Sequence, residues 1–321
     1  MNVFFENLSM VIAELRNNTL RAFLSLLGVT IGIFCIIAVL TVFDSLQQNI
    51  QQNMQTLGSK NLYVGKYPWI PEDKGEYPWW KYKSRPVANY NDVQNLKKYV
   101  HTASRISICY NDQTKMMFQD KSYDAGVFAV STDFEFFQNF DVKEGRYFSN
   151  AELQNTYSND IIIGSDVEKA LFPKNIPALN AQVIVNNKML HIIGILKKNG
   201  RTNLGFNFDE SIIVPYLYWN SVKNIDGNFG NGFTDPMLMV QAKKNVRVED
   251  LYYDVEANLR AIRKLKPREA DNFSINKLDA IQNKVNELFK TIKLSGWLIG
   301  FFSLLVGSFG IANIMYVSVK E

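Results

Sequence analysis

The sequence is poor in the residues that build metal sites and catalytic centres. Only two cysteines and two histidines occur in 321 residues. Cys35 lies inside a long apolar run and Cys109 in the polar middle of the chain. The two occupy different environments, so no intramolecular disulfide is expected, and cysteine leaves the redox compartment open. No Cys/His cluster has the spacing of a zinc site. His101 and His191 stand apart from any serine, cysteine or carboxylate motif, so hydrolase chemistry has no constellation to rest on. His191, within LHIIG, reads as a packed or edge residue of a strand. No GxxxxGK[ST] is present, which excludes a phosphate-binding loop of that kind. Blocks of like charge are missing too. The net charge is +4, and basic residues come singly or in pairs such as Lys97-Lys98 and Lys197-Lys198. Without a run of five or six, nucleic acid is a poor partner. The expectation is a chain that is not itself an enzyme and holds no metal or cofactor.

What the sequence does have is concentrated hydrophobicity. Ala22 to Phe43 (AFLSLLGVTIGIFCIIAVLTVF) and Leu294 to Val319 carry no charged residue. At 1.5 Å per residue the first run reaches about 33 Å, the thickness of one hydrocarbon core. A cleaved signal peptide would have a shorter apolar core nearer the terminus. Arg16 and Arg21 precede the first run, and no Lys or Arg follows it until Lys60. The positive-inside rule therefore places the N-terminus in the cytoplasm, residues 44–293 outside, and the end of the second run back inside. Small residues recur four apart in both runs: Gly28 with Gly32, Gly296 with Gly300, Ser303 with Gly307. Such spacing lets helix backbones approach in lipid, although glycine is also simply common in membrane helices.

Ahead of the first run, Phe4, Phe5, Leu8, Val11, Ile12 and Leu15 fall on one helical face, which predicts an amphipathic helix over 1–21, lying in the membrane interface or packed on the protein. Past it, Leu46, Ile50, Met54 and Leu57 extend a helical stripe to Gly58, a C-cap glycine. Ile275, Leu278, Ile281, Val285, Leu288 and Ile292 form a matching stripe before the second run. The two predict an antiparallel stalk, 44–57 against 277–293.

Between the stalk segments the texture is mixed. Strands are expected at 61–64, 106–110, 116–119, 127–130, 161–163, 183–185, 190–196, 212–214, 237–241 and 273–275. Helices are expected at 91–100, with Asn91 as N-cap, and at 248–265. Asn186-Asn187 is a hairpin signal. The loop 224–236 offers Asp226, Asn228, Asn231 and Asp235, whose spacing matches no calcium loop. The stretch 67–82 interleaves Tyr67, Trp69, Tyr77, Trp79, Trp80 and Tyr82 with prolines, either a binding surface or a loop pinned by its rings. The order implies a small α/β unit, 58–130 and 225–276, interrupted by a mostly β insertion over 131–224.

These features together resemble the MacB-type permeases of ABC transporters, in the superfamily that includes FtsX and the lipoprotein-releasing permeases. GSKNLYV (58–64) resembles the strand that follows the family's stalk, and DVKEGRYFS (141–149) its Gly-Arg-x-Phe-Ser turn. The stretch from Ile161 through Gly164 to Ala170-Leu171-Phe172, the strand LHIIGIL (190–196), and GIANIMYVSVKE (310–321) resemble further family segments, in order along the chain. The resemblance implies an α+β membrane protein: spans at 22–43 and 294–319, a porter-like subdomain interrupted by a sabre-like one, and a coupling segment beginning at 320–321. It implies that Tyr316, Val317, Lys320 and Glu321 begin the surface that meets a cytoplasmic ATPase, which would use ATP and magnesium. It further implies a homodimer or paired permease, a possible periplasmic adaptor, and residence in a bacterial inner membrane. The family continues through two more spans where this sequence stops at Glu321, so a truncated or short form is expected. The sensor region of a membrane receptor kinase shares the two-span layout and is the alternative.

Overall fold

The computed structural model describes residues 19–56, 60–71, 77–138, 140–173, 175–200, 207–227 and 234–320. The predicted amphipathic helix and Gly58 therefore lie outside the described residues, apart from positions 19–21. In chain order the elements are α1 (Thr19–Thr56), β1 (Asn61–Gly65), α2 (Trp79–Lys83), α3 (Tyr90–Tyr99), β2 (Ala103–Phe118), β3 (Lys121–Val130), β4 (Val142–Gly145) and α4 (Asn150–Leu153). There follow β5 (Asp160–Ile163), α5 (Ser165–Leu171), β6 (Gln182–Val185), β7 (Lys188–Leu196), β8 (Ser211–Pro215), α6 (Tyr216–Lys223), β9 (Met237–Ala242), α7 (Val248–Ile262), β10 (Ser274–Lys277) and α8 (Leu278–Lys320). The chain divides into two compact units, the long helices up to Gln52 and from Gln282 onward, and a sheet domain over Asn53–Ile281.

In the sheet domain ten strands form one sheet in the order β10-β1-β9-β2-β3-β8-β5-β7-β4, with β6 paired to β2 and β7. β3 runs parallel to β8 and β5 parallel to β7, and the other pairs are antiparallel. The late strand β9 sits between the early strands β1 and β2. No break in the sheet marks position 131, because β3 pairs directly with β8. The core lies under α3, α6 and α7, with Trp219, Tyr216 and Tyr63 among its largest fully buried side chains.

Several local expectations change. The strands expected at 106–110 and 116–119 are one strand, β2, which continues through Asn111, Asp112 and Gln113 in ladder with Phe128, Val127 and Gly126 and ends at Phe118, with Gln119 in the turn. The polar triplet reads as a break, yet Asp112 Oδ2 accepts the indole N–H of buried Trp219 at 3.1 Å, so the polarity has a use inside the sheet. The cap of α3 is Asn89, not Asn91. Asn89 Oδ1 accepts from Asp92 N at 2.9 Å, and Asp92 reaches back to Asn89 N, a capping box. Ile275 is a strand residue of β10, so the stalk stripe begins at Leu278. The β6–β7 hairpin turns on Asn186 and Asn187 with φ of 49° and 59°, the double left-handed geometry of a type I′ turn.

Two segments quoted for the family resemblance have structural explanations. In the Gly-Arg-x-Phe-Ser turn, Gly145 has φ +82°, where an L side chain is strained. Arg146 then clamps Glu152 with 2.8 and 2.6 Å bonds, Ser149 caps α4, and Phe148 is buried. A Cβ on Gly164 would strike the backbone carbonyls of Phe208 and Asp209, so the turn from β5 into α5 is held close against that segment.

Candidate functional site

The small residues of the two apolar runs meet one another within the helix unit. Gly32 faces Ser303, and a Cβ there would stand 3.0 Å from Ser303 Cβ. A Cβ on Gly300 would stand 2.7 Å from Ile36 Cδ1, and one on Gly296 3.6 Å from Leu40 Cδ2. These contacts run in opposite order along the two helices, so α1 and α8 are antiparallel. Thr30–Gln51 in α1 and Leu278–Phe309 in α8 are long and apolar enough to cross a membrane. Nothing is described for the surroundings of Gly28, Val317 or Lys320. Gly307 is half-buried, Tyr316 is exposed, and Glu321 lies outside the described residues.

Next to the apolar stretches, over the residues expected to form a stalk, the contact becomes polar. Lys293 Nζ lies 2.7 Å from Asp44 Oδ1 and donates to Gln47 Oε1 at 2.9 Å. Gln47 and Gln51 both donate to Asn286 Oδ1, at 3.1 and 3.2 Å. Phe43 meets Phe289 edge to face, with centroids 6.1 Å apart. The apolar stripe expected to pair the stalk is only partly covered: Leu278 is buried and Ile50 and Val285 are half-buried, but Leu288, Ile292 and Leu46 are exposed. The reason is helical phase. The face of α8 that carries Gly296, Gly300 and Ser303 continues back through Lys293, Phe289 and Asn286, about one residue, or 100°, from the Leu288–Ile292 row. The available signal was that Asp44 and Lys293 are the first charges beyond the two uncharged runs.

In the sheet domain the aromatic stretch is mostly pinned. Trp69 lies against Tyr63 (5.1 Å), and Tyr82 contacts both Tyr67 (6.2 Å) and Tyr77 (5.6 Å). Tyr77 donates its hydroxyl to Pro68 O at 2.7 Å, and its pKa is pushed up to about 12, first by burial and then by Tyr82 and Tyr67. Asn276 from β10 brackets the segment, accepting from Trp69 N at 2.7 Å and donating to Tyr67 O at 3.1 Å. Trp79 and Trp80 on α2 are the exposed exceptions.

The other candidate groups are tied into the fold. Asp226 accepts from Tyr216 Oη at 2.7 Å and from Asn220 Nδ2 at 3.0 Å, and burial raises its pKa. Asn228 and Asn231 lie outside the described residues. Asp235 faces Lys66 at 3.9 Å in a buried ion pair in which neither charged group is hydrogen-bonded among the described residues. Burial raises the Asp235 pKa in spite of the neighbouring ammonium. His191 Nδ1 lies 3.3 Å from Asp160 Oδ1 on the neighbouring strand. Cys109 is a free, buried thiol whose pKa burial drives upward. Among the described residues no group of three His, Cys, Asp or Glu is placed to hold a metal ion.

Two long, paired apolar helices, which precede and follow a mixed α/β sheet domain along the chain, define a class: proteins with a large domain between two candidate membrane spans. Residues 22–258 match the MacB-like periplasmic core domain family, and the chain belongs to that family. Among curated relatives, the macrolide export ATP-binding/permease protein MacB of Marinobacter nauticus is 25% identical over 319 residues, covering 98% of this chain and 46% of the relative. That of Escherichia coli K12 is 23% identical over 320 residues, covering 99% and 46%. The chain thus spans about half the length of the curated relatives it matches. The crystal structure of the periplasmic region of MacB from Actinobacillus actinomycetemcomitans superposes with a TM-score of 0.56 at 13% identity, covering 74% of this chain and 98% of that one, a likeness of fold.

Proposed function

We propose that this chain is the permease part of a MacB-type ABC transporter, with residues between the two candidate spans in the periplasm and both helix ends that flank them in the cytoplasm of a bacterial inner membrane. A partner ATPase hydrolyses ATP with magnesium. The helix pair carries that motion outward to the sheet domain, which handles a lipoprotein, peptide or drug, with residues 131–224 as the sabre-like part. The observation that carries this reading is the continuity of α1 and α8. Each runs unbroken from an apolar stretch into the stalk, and small-residue packing, the Lys293–Asp44 pair and the Asn286 cluster tie the two together. Family membership supports the same reading. Two rods fastened at several heights move as one body, whereas two loosely packed helices would dissipate a push in sliding. The exposed row of Leu288 and Ile292 supports a paired permease, since it leaves an apolar face free for another helix. Tyr316, Val317, Lys320 and Glu321 begin the ATPase-facing end.

The test is purification of the full-length protein from its native membrane, with ATPase partners identified by mass spectrometry. An ABC ATPase recovered in constant ratio is expected, and its activity should fall when Lys293 and Asp44 are both replaced by alanine. Recovery without any such ATPase overturns the reading.

A further inference from the structure

Beside the edge strand β10 a cavity of about 350 Å³ opens between the segment Pro68–Ile70, the strand itself, Tyr252 of α7 and the first turn of α8. Its size falls at the lower end of small-molecule sites, about 300–1,000 Å³. Trp69, Tyr252, Phe273 and Ile281 give it an aromatic and aliphatic wall. Three charged residues line it: Arg85, Lys277 and Asp271. Asp271 is occupied by Arg260. Lys277 Nζ is 3.8 Å from the exposed Glu249 carboxylate and 4.7 Å from the centre of the Tyr252 ring.

Arg85 is the decisive group. Its guanidinium lies over Tyr82, 4.5 Å from the ring centre. Its Nη1 is held by three acceptors, Ser274 Oγ at 2.7 Å, Phe273 O at 3.2 Å and Lys66 O at 3.3 Å. Nε and Nη2 have no hydrogen-bond partner among the described residues. The fork is therefore fixed in place by one nitrogen while its remaining donors are free. An immobilised planar guanidinium matches a carboxylate, which accepts two parallel N–H bonds, and little side-chain entropy remains to be lost on binding. Aromatic walls of this kind suit a flat apolar body.

We propose that this cavity binds a small aromatic carboxylate, its anionic group on Arg85 with Lys277 as the second cation, and its ring between Trp69 and Tyr252. The probe is indole-3-propionate, titrated by calorimetry into the full chain in lipid nanodiscs, with tryptamine as the cationic counterpart of similar size. Saturable binding of the carboxylate, about tenfold or more tighter than tryptamine, is expected. Arg85→Gln should weaken it by about tenfold or more. Because Arg85 also holds two backbone carbonyls, Ile281→Trp provides a second variant, which fills the cavity without touching the fork. It should abolish binding while leaving the melting temperature unchanged. Equal binding of tryptamine, or undiminished binding to Ile281→Trp, overturns the proposal. No ATPase takes part in the measurement, so its failure leaves the transporter reading standing.

Discussion

Removing one member of the Lys66–Asp235 pair should harm the sheet domain more than removing both. The two charges are 3.9 Å apart, with side-chain exposures of 0% and 6%. At an effective dielectric of about 20 their attraction is about 4 kcal/mol. Against it stands the cost of taking both ions out of water, several kcal/mol each even after relaxation. In better-built buried pairs, hydrogen bonds offset part of that cost. Here Lys66 Nζ and both Asp235 oxygens have none among the described residues. The raised pKa of Asp235 reflects the same balance: desolvation outweighs the neighbouring ammonium. Lys66→Met or Asp235→Leu alone should therefore cost about 3–5 kcal/mol, by stranding the partner. For a domain of this size that is a fall in Tm of roughly 6–20 °C. The double variant should be within about 1 kcal/mol of the parent or more stable. Thermal unfolding followed by tryptophan fluorescence, with Trp219 in the core, reads all four proteins.

A pH series adds a second check on that pair. The folded-state pKa of Asp235 is raised, so the folded state holds its proton where the unfolded chain has lost it. The stability from this group is complete below the ordinary carboxylate range and declines as pH rises through the raised value. Without Lys66 that value moves further up, so the deficit of Lys66→Met should shrink on acidification. If the single losses simply add in the double variant, the two residues contribute independently rather than as a pair, and the reasoning fails.

Glu152 runs the opposite way. Arg146 above all, then Ser149, lower its pKa from 4.5 to about 2, so its stabilisation is present above the ordinary value and lost as pH falls toward 2. Glu152→Gln should flatten the acid limb of the stability–pH curve, and an unchanged limb would count against the clamp. Asn89→Ala should cost about 1 kcal/mol in chemical denaturation, whereas Asn91→Ala should cost a few tenths at most; equal losses would refute the capping assignment. Gly300→Leu places a branched side chain against Ile36 and should weaken the α1–α8 pair by about 1–3 kcal/mol. The readout is cross-linking of Asp44→Cys with Lys293→Cys by a short bis-maleimide, which should slow markedly.

Legibility followed the range of the forces involved. The Asn186-Asn187 hairpin and the two long helices rest on local signals, and the structure has them. Sequence alone puts the cap of α3 two residues late because Asn89 and Asn91 are chemically equivalent. Only the backward reach of Asp92, itself held by Arg263 at 2.9 Å, tells them apart. Sequence alone divides β2 because Asn111 to Gln113 looks like a turn until Trp219, more than a hundred residues later, supplies a partner. In the helix unit, periodicity marks an apolar stripe that coincides only in part with the face in use. Small residues and a handful of polar contacts set the phase of α8, and the Leu288–Ile292 row was the more hydrophobic decoy. The Arg85 cavity was invisible, because its parts come from positions 68 to 281.

The place of β9 in the sheet bears on how the domain is made. Among the described strands β1 pairs with β9 and β10 alone. When Asn61–Val64 leaves the ribosome, both of its neighbours are still unmade. At about 5–20 residues per second, roughly 10–30 s pass before residues 237–242 exist. During that interval a strand with a wholly apolar centre, Leu62-Tyr63-Val64, has no native neighbour to pair with, and β2 is open along the edge that β9 will fill. The order of synthesis thus makes the interval before residue 242 the period of greatest exposure to mispairing, and a holding chaperone would act there. Nascent chains arrested before residue 236 should remain protease-sensitive over 61–65, and those released beyond residue 277 should not.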